Sequence, residues 1–172
     1  MKSLFFMLLS AICLISNAYG VEKWSEMHAP SGEFSVSFPM QPQYVKERMF
    51  LPAVNSWMDY EIFLSILQPK AIFLLLVASY PKKIQPDQVQ GCLEGFLKGM
   101  ATRNPDNQVI FADINQVNGK PVLEFFLKST SAHFRGRIFM EKGKLYLLAV
   151  ESKDEKEIES LYHPFSESFK MK

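Results

Sequence analysis

The residues best suited to catalysis or metal binding are scattered along this chain. The three histidines, His28, His133 and His163, lie far apart in sequence, and none has a second ligand type at the spacing that zinc sites use. The sequence contains no paired-cysteine or HExxH motif, no Gly-x-Ser-x-Gly elbow and no glycine-rich phosphate loop. We therefore predict no catalytic, cofactor-binding or metal-binding residues, with a hydrolytic triad assembled only by the fold left open as an alternative.

Two charged groups have a spacing that would suit ion binding. Asp59 and Glu61 are two residues apart on a predicted strand and share a face, as a hard cation or an acid/base pair requires. His133, Arg135 and Arg137 share one face of a later strand, where they are candidates for binding an anion such as a carboxylate or phosphate. Cross-strand ion pairs between the two groups would explain both without a ligand.

The helix predicted over residues 86–103 carries a cysteine and a glycine stripe. Cys92 falls on its apolar face, which indicates a buried small side chain, with pairing to another chain as the alternative. Gly91, Gly95 and Gly99 recur every four residues, and each costs a helix about 1 kcal/mol relative to alanine. The stripe predicts either a close approach of the helix to a sheet or a flat track for another chain.

Hydrophobic alternation and turn residues define the predicted strands. They cover residues 34–38, 44–50, 56–67, 71–78, 109–117, 121–128, 133–140 and 144–151. In the first of them, Phe34, Val36 and Phe38 share one face, and the two serines between them should face water. Residues 44–50 are more polar, which favours a position near the edge of the sheet.

The segment 71–78 is different because all eight of its residues are apolar. Neither strand nor helix geometry leaves it a polar face, so we expect a strand that is covered on both sides. Asn118 and Gly119 form the strongest hairpin signal in the chain, since both residue types tolerate positive φ angles. A second turn is predicted at residues 141–144, around Gly143.

Two amphipathic helices remain to cover the sheet. The first carries an apolar stripe at helical spacing, made of Val89, Cys92, Leu93, Phe96, Leu97 and Met100. The second is predicted over 154–165, with acidic residues in its first turn and Pro164 near its end. The order strands, helix, strands, helix predicts an α+β fold, in which a mostly antiparallel sheet is sandwiched by the two helices.

Two helices are few for a sheet of eight or nine strands. Large apolar side chains outside their cover would form an exposed patch, which on soluble proteins usually marks a binding site. The candidates for such a patch are Trp24, Met49, Phe50, Trp57 and Met58.

The order of these motifs resembles exported bacterial proteins related in fold to the PsbP proteins of photosystem II. The matching features are Gly32 to Pro39 followed by Pro42, a central amphipathic helix, Arg135-Gly136-Arg137-Ile138 leading into Gly143-Lys144-Leu145-Tyr146, and Ser166-Glu167-Ser168-Phe169-Lys170. The resemblance implies an α/β/α sandwich around an antiparallel sheet. It implies little about activity, because a fold does not fix a function.

The N-terminus is typical of a secretory signal peptide. Lys2 precedes an apolar run over residues 4–15, and the small-residue pattern of residues 18–20 follows. We predict cleavage between Gly20 and Val21, which leaves residues 21–172 as a single domain in the periplasm, the cell envelope or outside the cell.

Other membrane attachments and nucleic-acid binding fit the sequence less well. The apolar run is shorter than the roughly 20 residues of a spanning helix, and lipidation at Cys13 would require a small residue where Ile12 stands. Loss of residues 1–20 removes one of the 19 basic residues and none of the 18 acids. The remaining segment is formally neutral, whereas nucleic-acid and polybasic membrane surfaces need a positive field.

Three functions remain, in order of preference. The first is a non-catalytic exported protein that binds or assembles with another envelope protein. The second is a carrier of a small apolar ligand or lipid between sheet and helix, favoured by the many Phe, Met and Leu residues. The third is a hydrolase with an unrecognised site.

Overall fold

A computed structural model of the chain describes residues 24–51 and 55–172. The predicted signal peptide, its cleavage site at Gly20 and Val21, and Cys13 lie outside the described residues. So do residues 52–54, between the strands that end at Leu51 and begin at Ser56.

The described chain forms ten strands and two α-helices. In chain order they are β1 Ser25–His28, β2 Phe34–Phe38, β3 Gln43–Leu51, β4 Ser56–Leu67, β5 Ala71–Ser79, α1 Val89–Ala101, β6 Gln108–Val117, β7 Lys120–Lys128, β8 His133–Glu141, β9 Lys144–Ser152, α2 Glu155–Ser168 and β10 Lys170–Met171. A 3-10 turn over Pro86–Gln88 leads into α1. All eight predicted strands and both predicted helices are confirmed, whereas the short β1 and β10 were not predicted.

The strands form two sheets rather than the single sheet expected. The main sheet has seven strands in the order β3-β4-β5-β9-β8-β7-β6, and every neighbouring pair is antiparallel. Strand β2 lies in a separate three-stranded sheet between β1 and β10. The expectation of one sheet of eight or nine strands was wrong, because β2 pairs with short strands from the two ends of the described chain.

One face of the main sheet, called here the α2 face, is covered by helix α2 and by the small sheet. Phe34, Val36 and Phe38 of β2 point into this core, as predicted, and pack with Phe165 and other buried residues of the helix. The prediction of a wet side for β2 was wrong at Ser35, which is 2% exposed. Its hydroxyl donates a hydrogen bond of 2.8 Å to Glu26 Oε1 of β1, which lowers the pKa of that carboxyl group.

The opposite α1 face is covered unevenly. Helix α1 packs mainly against β7 and β8, and its Leu93 and Leu97 are buried there. Strand β5 was predicted to be covered on both sides, but Ile72, Leu74 and Leu76 on this face are only half-buried. The prediction was wrong for this face of β5, because helix α1 lies over β7 and β8.

Hairpin turns and caps agree with the local sequence. Asn118 and Gly119 have φ angles of 52° and 73°, so both occupy the left-handed region that this turn requires. The turn before β9 uses the same geometry. Helix α2 begins after Asp154, whose side chain accepts a hydrogen bond from the Lys156 N–H. It continues past Pro164 to Ser168, because Phe165 packs into the core.

Candidate functional site

A partly open apolar groove lies between helix α1 and the strands β6 and β7. Its volume is about 380 Å³. The helix contributes Glu94, Leu97, Lys98, Ala101 and Thr102, and the strands contribute Val109, Ala112, Ile114 and Leu123. The side chains nearest the sheet are apolar, while the charged groups of Glu94 and Lys98 stand on the helix side. The groove can therefore accept apolar groups along a polar rim.

Strand β6 forms one wall of the groove and is also an edge of the main sheet. Within the described residues it pairs with β7 and with no other strand. An edge strand directs about half of its backbone N–H and C=O groups outward. Val109 and Ile110 beside the groove are 49% and 54% exposed, and the ladder is irregular between Val109 and Phe111. A hydrogen-bonding edge and an apolar groove thus lie side by side.

The ten residues of β6 carry a single charge, on Asp113. Asp113 pairs in register with Glu124 and so faces the α2 side, while Ala112 and Ile114 face the groove. Asp113 is exposed and forms no ion pair within the described part of the chain. The edge is therefore polar but nearly uncharged, with one acid near its middle.

An arginine holds β6 against the rest of the sheet. The guanidinium of Arg135 lies 4.9 Å from the ring centre of Phe111 and 4.4 Å from that of Tyr162. Its Nη1 is 2.7 Å from Glu124 Oε2, and its Nε is 3.1 Å from Glu159 Oε1. The Tyr162 hydroxyl donates to the same Glu124 oxygen at 2.8 Å. Burial, and then the charge of Glu124, raise the pKa of Tyr162, so this tyrosine remains a hydrogen-bond donor.

The structure places the three predicted anion ligands together beneath helix α2. Arg135 is bound as described, and Arg137 donates a short hydrogen bond to the Ser166 carbonyl oxygen. His133 Nε2 lies 3.3 Å from Glu155 Oε2, although its orientation makes no hydrogen bond there. These partners belong to the protein itself, and the binding of an external anion at His133, Arg135 and Arg137 stays a prediction.

The predicted ion pairs between Asp59 or Glu61 and this arginine group were wrong. Asp59 Oδ1 lies 3.0 Å from Arg48 Nε, and Glu61 Oε1 lies 3.4 Å from Lys46 Nζ. Both partners stand on β3, directly opposite the acids in register. The error arose because the sheet order puts β5 and β9 between β4 and β8.

The glycine stripe of α1 does not face the sheet, so the close-approach explanation was wrong. Gly91, Gly95 and Gly99 are exposed, and a Cβ at any of them would meet no described atom within 4 Å. The close approach occurs at Gly136 of β8 instead, where a Cβ would lie 2.6 Å from Phe125 Cζ and 2.8 Å from the Leu148 carbonyl oxygen. The Phe125 ring therefore fills the place of a side chain at Gly136.

The remaining candidates divide between core and surface. Cys92 is a free, half-buried thiol that packs on the α1-face core. Trp24 packs edge-on against Phe73 in the core, and Met58 is buried. Of the predicted patch, Met49, Phe50 and Trp57 are exposed, all on the hairpin of β3 and β4.

Comparison with known proteins identifies the fold. The chain matches the solution structure of cyanobacterial PsbP (CyanoP) from Synechocystis sp. PCC 6803 with a TM-score of 0.61, over 93% of this chain and 99% of that one. The fold is PsbP-like. No family model and no curated protein matches the chain, and the two PsbP-like chains are 14% identical, a level that shows the fold alone.

Two features are absent from the described part of the PsbP-like domain. In residues 24–51 and 55–172, no helix is long and apolar enough to cross a membrane. The same residues contain no group of three His, Cys, Asp or Glu side chains arranged to hold a metal ion.

The groove and the β6 edge were not predicted as a site. The one sequence signal that pointed to them was the low charge of residues 108–117 compared with residues 43–51.

Proposed function

We propose that this chain is an exported, non-catalytic accessory protein of the periplasm or cell envelope that binds another protein through the β6 edge and its groove. The observation that carries the proposal is that a strand edge with a single charge, which pairs with no further strand in the described residues, lies beside an apolar groove. Edges of this kind bind further chains when nothing protects them. Exposed apolar surface beside the edge adds to the free energy of such contacts.

The fold and the N-terminal sequence support the same reading. A PsbP-like domain fits an accessory protein in general, and the leader-like residues 1–20 fit export. The charged groups with a spacing suited to chemistry form ion pairs with one another and with the backbone, which is the arrangement expected of a structural network.

Site-specific cross-linking in cells tests the binding surface. We expect p-benzoylphenylalanine in place of Val109 to give a discrete adduct with a second protein upon illumination. The matched control carries the same group in place of Lys156, an exposed residue of helix α2 on the other face of the sheet, and should give none. Adducts of equal yield at both positions, or none at Val109, would contradict the proposal.

Export is tested by the mature N-terminus. Protein recovered from the envelope or periplasmic fraction should begin at Val21, with a mass that lacks residues 1–20. A mass that retains the leader would refute cleavage. A lipid-modified N-terminus at Cys13 would instead show membrane anchoring.

Transport of a small apolar ligand is a second candidate, because the partly open groove of about 380 Å³ is lined mainly by apolar side chains, as small-molecule sites are. Native mass spectrometry of protein purified without detergent distinguishes the two functions. A constant extra mass that disappears when Leu97→Arg fills the groove would favour the carrier. An unliganded mass would leave protein binding as the function.

A further inference from the structure

We infer that the β6 edge binds an extended segment of a partner protein as an eighth strand of the main sheet, with apolar partner residues in the groove and a basic partner residue beside Asp113. The inference rests on the proposed function and deepens it by naming how the partner is bound and what its chemistry is. It follows from three properties of β6: its backbone, the side chains on its groove face and the charge on its opposite face.

The backbone of β6 is long enough to hold a peptide. Residues 111–117 keep a continuous register with β7 and extend over roughly 23 Å at the usual rise of a strand. Its outer N–H and C=O groups face away from β7, its one strand partner in the described chain. A strand added there forms main-chain hydrogen bonds that do not depend on the partner's sequence.

The side chains of β6 select the partner's sequence pattern. Beyond the irregular step between Val109 and Phe111, Ala112 and Ile114 line the groove, and residues of an added strand alternate between the two faces of the sheet. Every second partner residue would therefore face the groove, where Leu97 of α1 supplies the far wall. Apolar residues at those positions would bury surface that is now exposed.

Asp113, near the centre of β6, selects the partner residue that lies between these apolar positions. Asp113 faces the α2 side and is flanked by Glu124, which Arg135 already neutralises. A partner residue placed next to Asp113 on that face would lie within reach of its carboxylate. A lysine or arginine fits this place, whereas an acid would be repelled.

A second copy of this chain fits the edge less well. Two β6 strands paired antiparallel about a two-fold axis at Asp113 would set like charges side by side. Neither strand would bring a basic residue, because β6 contains none. The charge pattern thus favours a foreign strand over self-association.

Designed peptides test the inference directly. The probe is a nine-residue peptide of alternating valine and threonine with one central threonine replaced by lysine, joined to a soluble glycol tail. The control peptide carries glutamate at that position. Fluorescence anisotropy with the purified protein should give a dissociation constant about tenfold lower for the lysine peptide. Hydrogen exchange should slow at the β6 amides and not at those of β3.

Charge reversal on the protein supplies the decisive control. Asp113→Lys should reverse the preference so that the glutamate peptide binds more tightly. If this variant does not fold, Asp113→Asn should abolish the preference while leaving the weaker binding of both peptides. Protection at β3 in place of β6, or a lysine preference that Asp113→Lys leaves intact, would overturn the inference.

Two further outcomes separate this inference from the proposed function. Failure of both peptides to bind, together with a Val109 adduct in cells, would refute strand addition and leave protein binding standing. Concentration-dependent dimerisation in sedimentation, lost in Ile110→Lys, would show that a second copy occupies the edge, which also overturns the inference.

Discussion

The two edges of the main sheet differ in the way that natural proteins distinguish protected edges from available ones. Strand β3 carries Lys46, Glu47 and Arg48 within nine residues, and two of these pair with acids on β4. Strand β6 carries one charge in ten residues. Both strands expose apolar side chains, Val109 and Ile110 on β6 and Met49 and Phe50 on β3, so the two edges differ in charge. Charged side chains discourage pairing at an edge. The comparison therefore indicates that the β6 edge is the one that this protein leaves open for binding.

Each edge also has an arginine that contacts an aromatic ring and a carboxylate. The two arginines differ in how far their side chains are exposed to solvent. Arg48 lies 5.5 Å from the ring centre of Trp57 and is paired with Asp59, and its side chain is 66% exposed. Arg135 contacts Phe111 and Glu124 with a side chain that is 12% exposed. Exposed pairs contribute little to stability, whereas a partly buried charge left without its partner is costly. Arg135, next to the β6 edge, should therefore contribute more to the stability of the protein than Arg48 at the β3 edge.

The largest loss of stability should come from removing the Arg135 side chain. We expect Arg135→Ala to lower the free energy of unfolding by about 3 kcal/mol, because Glu124 and Glu159 lose their partner. The matched change Arg48→Ala should cost no more than about 0.5 kcal/mol. Urea unfolding followed by circular dichroism measures both. Similar losses in the two variants would show that Arg135 and Arg48 stabilise the two edges equally.

We expect a smaller loss of stability from a substitution at Gly136 of β8, which lies against the ring of Phe125 next to the groove. Gly136→Ala places a Cβ within 3 Å of the ring and of the Leu148 carbonyl oxygen, so we expect a loss of about 2 kcal/mol from overpacking. Gly95→Ala on the outer face of α1 meets no described atom within 4 Å and should stabilise the protein by about 1 kcal/mol.

Thermal denaturation of the two glycine variants measures both effects. A rise in melting temperature for Gly136→Ala would mean that Phe125 moves aside freely. A fall for Gly95→Ala would mean that the glycine stripe has a structural role in the folded state, in conflict with its exposure.

The strands of the main sheet were predictable because their signals are local. Alternating or continuous apolar residues define each strand, and Asn118-Gly119 fixes a hairpin from two residues alone. Strands β1 and β10 were missed because four and two residues are too few to show a period. They form by pairing with β2, which brings together residues more than 130 positions apart.

The candidate site depended on the order of strands, which the sequence pattern did not contain. Strand β5 pairs with β9 and not with β6, the next strand along the chain. This choice makes β6 an edge, moves α1 over β7 and β8, and leaves Ile72 and Leu76 half-buried. Residues 44–50 were expected near an edge from their polarity, and this prediction is confirmed. The low charge of β6 suits an interior strand as well as an edge, so it was a weaker local signal.

The smallest effect concerns Glu151, which lies in register between Ile72 of β5 and Phe134 of β8, where the covered and open halves of the α1 face meet. Burial raises the pKa of this carboxyl group, and Lys153 opposes the shift only in part. A raised folded-state pKa means that the folded protein binds the proton more tightly than the unfolded chain. Stability is therefore greatest below the unfolded value of about 4.5 and falls as pH rises through the folded value.

We expect Glu151→Gln to raise the melting temperature at pH 7 and to leave it nearly unchanged at pH 4. Glu167→Gln, on the exposed surface of α2, is the matched control and should lack this pH dependence. Equal changes at both pH values in Glu151→Gln would show that the boundary between the two halves is as wet as the rest of the surface.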